Sequence, residues 1–185
     1  MNYSRLVEEL NISPKNLTDK KIQTRYKIKY ILEYVKLWLY VFLNVADKNS
    51  VNFIDAMCNA GIYLDGELTT SMEVLILFCE KAKIYPNKHF HLFMNDYDSK
   101  SIEICKKVAE YLYNENGKPV NVHLHFDILD VNEYLEKYDL FDRYLTYDAT
   151  SIFFIDPYDL RTVILSKISQ LVKRYYCEVI FRVCF

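Results

Sequence analysis

The feature that most constrains this chain is residues 51–66, VNFIDAMCNAGIYLDG. An apolar run, Val51-Asn52-Phe53-Ile54, ends in Asp55. Small residues follow, with Ala56, Asn59 and Ala60 leading to Gly61, and a second glycine stands at 66. A buried strand, a tight loop and an amphipathic helix in that order make the first β-loop-α unit of a nucleotide-binding α/β domain. Such a unit places any ligand outside the carboxyl ends of the strands, where strand order reverses.

The rest of the chain repeats the alternation. Residues 1–23 are polar and read as a short arm. From Thr24, the residues Ile28, Ile31, Leu32, Val35, Leu39 and Phe42 recur at helical spacing, which predicts a long helix over 24–43. Strands are predicted at 51–55, 90–95, 120–126, 151–155 and 178–185. Helices are predicted over 70–82, opened by a Thr70/Glu73 capping box, over 99–113, as a short turn capped by Asp130 with Glu133, and over 161–174. This order predicts one α/β domain over 24–185, with a doubly wound, mostly parallel sheet covered by helices on both faces.

Composition narrows the function classes. The 185 residues suffice for one full-sized core, and 51% of them are apolar, which argues against disorder. A net charge of −2 gives no overall field to attract nucleic acid or an anionic membrane. No leader-like segment opens the chain, and the apolar stretch at 30–43 carries Glu33 and Lys36 and is too short to span a bilayer. The five cysteines (58, 79, 105, 177 and 184) lack paired CxxC spacing, so reduced thiols in a cytoplasmic protein are expected, with no metal framework.

Acids stand at or just beyond successive strand ends: Asp55, Asp96 with Asp98, Asp127 and Asp156. In a doubly wound sheet these ends converge on one crevice. An acid after the second strand can accept from ribose hydroxyls. One after the third can accept from a purine amino group, because an ionised carboxylate only accepts. The small residues of the first loop, Ala56, Asn59 and Gly61, let backbone N–H groups approach a ligand. Asp156-Pro157-Tyr158 places two acceptors and a stacking ring at the end of the fourth strand. Each acid can equally serve as a helix cap or turn residue.

Three other groups stand apart. His89 and His91 share one strand face, as do His123 and His125, and a metal site would need the two strands adjacent and in register. A surface position for these histidines is the simpler reading. Lys20, Lys21, Arg25, Lys27 and Lys29, with Tyr26 and Tyr30, could follow phosphates or form a solvated helix face.

Three segments together are similar to one family. Residues 22–32, IQTRYKIKYIL, with Tyr34 and Trp38, resemble the opening helix of the three-Cys-motif partner proteins (TcmP). Phe53-Ile54-Asp55 with Gly61, Tyr63, Asp65 and Gly66 resemble their first strand and loop. Residues 153–158, FFIDPY, and Glu178-Val179-Ile180 resemble two later strands. The resemblance implies a Rossmann methyltransferase-like core with strand order 3-2-1-4-5. It also implies an S-adenosylmethionine site in which Asp55, Ala56, Asn59 and Gly61 surround the methionine part, Asp96 or Asp98 meets the ribose, and Asp127 lies near adenine. Asp156, Pro157 and Tyr158 would hold an acceptor nitrogen, with a nucleic acid base as the candidate. A three-Cys-motif protein is the implied partner, often in a mobile-element setting. The first loop departs from the family pattern, with Ala56 and Asn59 at glycine positions, and the family's later strands and C-terminal domain are expected to be missing. A degenerate, non-catalytic binding module of the same fold is therefore the alternative, and a metal-dependent nuclease built on the histidines is a third reading.

Overall fold

The computed structural model describes residues 4–45 and 47–182. In chain order the elements are α1 (Ser4–Glu9), α2 (Ile22–Leu43), β1 (Ser50–Asp55), α3 (Thr70–Ile84), β2 (His89–Asn95), α4 (Ser99–Glu115), β3 (Val122–Asp127), α5 (Val131–Tyr134), α6 (Tyr138–Tyr144), β4 (Ala149–Ile155), α7 (Leu165–Arg174) and β5 (Glu178–Phe181). The five strands form one parallel sheet in the order β3-β2-β1-β4-β5. This is the doubly wound α/β fold, preceded by a long helix, and strand order reverses between β1 and β4.

Strand alternation divides the sheet between two cores. Phe53, Leu92 and Phe154 face α2, α3 and α4 in the larger core. Their neighbours Ile54, Phe93 and Phe153 face α5, α6 and α7 in the smaller one. The buried side of α2 consists of Ile28, Ile31, Val35, Trp38, Leu39 and Leu43 at the expected three- and four-residue steps. In α4 the same rule buries Ile102, Cys105, Val108, Ala109 and Leu112. The segment before α2 is tied to the body: Leu6, Val7, Ile12 and Leu17 are buried in the larger core.

Several boundaries shift for local reasons. The α3 N-cap is Thr69, in extended conformation, so Thr70 is already helical, and the hydroxyl of the N-cap makes no capping bond. β3 starts at Val122 because residues 119–122 turn, with the Val122 N–H donating to the Pro119 carbonyl, which leaves Val120 in solvent. The Asn121 side chain fixes that turn by donating to the carbonyls of Ala82, Tyr85 and Lys88. The helix expected over 161–174 is split into a 3-10 turn, Leu160–Thr162, and α7. Asp159 caps the turn, and Asn132 Oδ1 accepts the Ile164 N–H at the break. α6 was not foreseen. Of the fifth strand, 178–181 is as expected, whereas 183–185 lie outside the described residues, as does Cys184.

Candidate functional site

Two adjoining cavities open at the carboxyl ends of β1, β2 and β4. The larger, about 460 Å³, lies between the first loop, the corner after β4 and the start of α2. The smaller, about 320 Å³, lies between the loops after β1, β2 and β3. Met57, Asp96, Tyr97 and Tyr158 line both.

Asp55 ends β1 inside the larger cavity at 2% exposure. It accepts from the Met57 N–H at 3.1 Å and from the Ser71 hydroxyl at the start of α3. Burial nevertheless pushes its carboxyl up to about 7, against the lowering effect of those two donors. Ala56 is also buried, donates to the Phe154 carbonyl at 3.0 Å and lines the smaller cavity.

Asn59 sits at the bend of the loop with φ +60°, a conformation asparagine tolerates better than most residues. Its Oδ1 accepts from the Ala60 N–H at 2.7 Å, and its own N–H donates to Asp96 Oδ2 at 3.0 Å. Gly61 has φ +81° and lines neither cavity. A Cβ there would lie 3.4 Å from the Cys105 Cα and the Met72 Cγ, close to ordinary contact, so the left-handed backbone more than the space calls for glycine.

The structure separates the two acids after β2. Asp98 caps α4, accepting from the N–H groups of Lys100 and Ser101 and from the Ser101 hydroxyl at 2.7 Å. Those donors hold its carboxyl below the usual range, and it lines neither cavity. Asp96 stands on the wall common to both cavities. It accepts the N–H groups of Asn59 and Asp98, one on each oxygen, and burial raises its carboxyl. Each oxygen keeps a second lone pair.

Asp127 ends β3 paired with Lys137 and lines neither cavity. Asp130, three residues on and the cap of α5, lines the smaller cavity with Val131. Asp156 lines the larger cavity but is paired with Lys27 of α2 and, at 3.1 Å, with Arg182. Pro157 lies beside it. Tyr158 is 90% exposed, and the Lys21 ammonium lies 5.5 Å from its ring.

Several residues of this region are not evident from strand-end logic. Thr18, Asp19, Lys21, Gln23, Thr24 and Lys27 form the roof of the larger cavity. The run of cations interleaved with tyrosines was the signal available for them. Lys20 and Arg25 fasten this roof to the first loop through Glu67. Asn95 is fully buried and joins two loops: its Nδ2 donates to the carbonyls of Ala56 and Leu129, and its Oδ1 accepts the Leu129 N–H. The Thr69 hydroxyl, in another residue lining the larger cavity, is enclosed without a hydrogen-bond partner.

The four histidines meet at the other end of β2 and β3. His91 pairs in register with His123. His89 Nδ1 lies 3.2 Å from His123 Nε2, and His91 Nδ1 lies 3.1 Å from His125 Nε2. Phe93 stacks on His125 at 4.2 Å between centroids, and Tyr144 of α6 packs edge-on against the array. Burial, reinforced by the neighbouring imidazoles, holds His91 at about 3 and His125 at about 4. Among the described residues no group of three or more His, Cys, Asp or Glu is arranged to hold a metal ion. Cys58, Cys79 and Cys105 are buried free thiols, and Cys177 is a half-buried one.

Comparison of the chain with protein-family models, curated proteins and solved structures finds no match. No described helix is long and apolar enough to cross a membrane.

Proposed function

We propose that the paired cavities bind S-adenosylmethionine and that the protein is a TcmP-like methyltransferase acting on a nitrogen acceptor, a nucleic acid base being the candidate. The observation that carries this reading is the division by Asp96, just after β2, of one crevice that runs along the carboxyl ends of β2, β1 and β4 and so spans the point where strand order reverses. A ligand with a flat base, a ribose and a charged tail needs two unlike compartments with an acceptor between them. The residues fit such a group. Val131, Ala56 and Met57 give the smaller cavity apolar walls, with Asp130 as an acceptor for an exocyclic amino group. Asp96 has lone pairs for ribose hydroxyls, and Asp55 with the Met57–Asn59 loop flanks the larger compartment.

When bound, that cofactor supplies an electrophilic methyl group. The residues of the chain position the acceptor beside it. Asp156 and the Pro157 carbonyl accept from an amino group, and Tyr158 offers a ring for stacking. Asp55, pushed up to about 7, can hold or release a proton near neutrality. A cytoplasmic setting and a three-Cys-motif partner belong to the same proposal.

One observation favours the second reading, a non-catalytic binding module. Each oxygen of Asp156 already carries a cationic donor, Lys27 or Arg182, so its charge is neutralised and an acceptor amine meets only the remaining lone pair of each oxygen beside those cations. Calorimetric titration with S-adenosylmethionine and S-adenosylhomocysteine tests the cofactor site. Binding that Asp96→Ala removes and Asp98→Ala keeps supports the proposed arrangement. No binding to the folded wild type overturns the methyltransferase reading. Binding without methyl transfer to any nucleic acid or protein acceptor favours the module.

A further inference from the structure

α2 is apolar on two sides. One side is buried against the sheet. The other carries Ile22, Tyr26, Tyr30, Leu37, Tyr40 and Val41 in solvent, with Ile22 at 76% and Tyr40 at 74% exposure. At 100° per residue these side chains fall within about 120° of the helix circumference, along roughly 28 Å of its length. These six side chains expose on the order of 900 Å² per chain, of which a helix-on-helix contact covers a part, against about 800 Å² buried per partner in a standard protein–protein interface; Tyr34 at the border is held by donating to Glu178 of β5. Single exposed apolar residues are ordinary, but a continuous stripe of this size marks a contact surface.

The charges on the stripe select the occupant. Lys29 and Glu33 are exposed on the same side of the helix, one turn apart, and Glu33 also pairs at 2.8 Å with Lys36 of its own helix, an exposed pair that leaves its second oxygen for a partner. A second copy of α2 laid antiparallel, with its two-fold axis level with Ile31, brings Lys29 of each chain against Glu33 of the other. The same register sets Ile22 against Tyr40 and Tyr26 against Lys36, and the two Tyr30 rings meet beside the axis. A parallel arrangement would instead oppose like charges. A two-fold axis also closes the assembly at two chains.

We propose that the outer face of α2 is the seam of an antiparallel homodimer of this chain. The stripe borders the sheet contacts only at Tyr34, whose hydroxyl donates to Glu178 of β5, and its test reads self-association, which does not depend on the ligand reading.

The test is sedimentation velocity over a concentration series from low micromolar upward, with circular dichroism to verify the fold of each variant. The wild type is expected to sediment as a dimer at the upper end, and Leu37→Glu as a monomer. Lys29→Glu and Glu33→Lys each oppose like charges twice across the seam, so each alone should weaken self-association about tenfold or more. Mixed together, the two single variants should form a heterodimer at wild-type strength, because every cross-seam pair is again of opposite sign. A monomeric wild type throughout the series overturns the proposal. So does a mixture that associates no better than its separate components, even if the wild type self-associates.

Discussion

Replacing Asp55 by asparagine should stabilise the protein while damaging its site. The carboxyl is 2% exposed and is pushed up to about 7 by burial, whereas in the unfolded chain it returns to its ordinary value near 4. Between those values the unfolded chain releases the proton and the folded chain keeps it, so folding grows less favourable as pH rises. At ~1.4 kcal/mol per pH unit the cost accumulates from about pH 4 and levels off above about pH 7, at ~4 kcal/mol. Asparagine carries no charge to bury. Its Oδ1 can still accept the Met57 N–H, and its Nδ2 can donate to the Ser71 hydroxyl, which then turns to accept. Relaxation around the native carboxylate reduces the expected gain to ~2–4 kcal/mol at about pH 8, with a difference near zero at about pH 4. Urea unfolding of both proteins across that range measures it. A pH-independent difference, or a variant less stable than the wild type at about pH 8, would falsify the burial argument. The same variant should bind S-adenosylmethionine more weakly if this carboxylate meets the charged tail.

The histidine array should make stability fall on acidification. His91 and His125 titrate below their unfolded value near 6.5, so folding weakens as pH drops from there toward about 4. His91→Leu should lose ~1–2 kcal/mol less than the wild type between about pH 7 and pH 5, and identical acid profiles would show that the array is not protonation-limited. Asp98→Ala should cost ~1 kcal/mol in thermal or urea unfolding, the usual worth of a helix cap, and leave ligand affinity alone. Thr69→Val removes an enclosed hydroxyl with no partner and should hold or raise stability by up to ~1 kcal/mol, and a clear loss on urea unfolding would mean the hydroxyl is bonded in solution.

The sheet was readable because its strands are short apolar runs that each close on a polar residue. Phe53-Ile54-Asp55 and Phe154-Ile155-Asp156 announce both the strand and its carboxyl end, and parallel alternation then fixes which ends converge. The choice among acids was not readable. Asp96 and Asp98 are two residues apart, and only the course of the backbone makes one a cavity wall and the other a cap. Asp127 and Asp130 differ in the same way, since Lys137 pairs with the first and the second lines the smaller cavity. The ion pairing of Asp156 joins residues 129 and 26 positions apart, which no local pattern reveals. The roof at 18–27 was hidden because its polar composition resembles a free arm, whereas Leu6, Val7, Ile12 and Leu17 anchor it.

The Asn95 side chain gives the crevice a mechanical property. A single amide grips the loop after β1 at Ala56 and the loop after β3 at Leu129. The two loops are therefore tied to each other at the end of β2, beside the smaller cavity that Ala56 and Asp130 line. A displacement at Leu129 would have to stretch these bonds or carry Ala56 with it, and Met57, next in the chain, lines both compartments. A ligand that fills one compartment should then restrain the frame of the other, and its two halves should be held cooperatively.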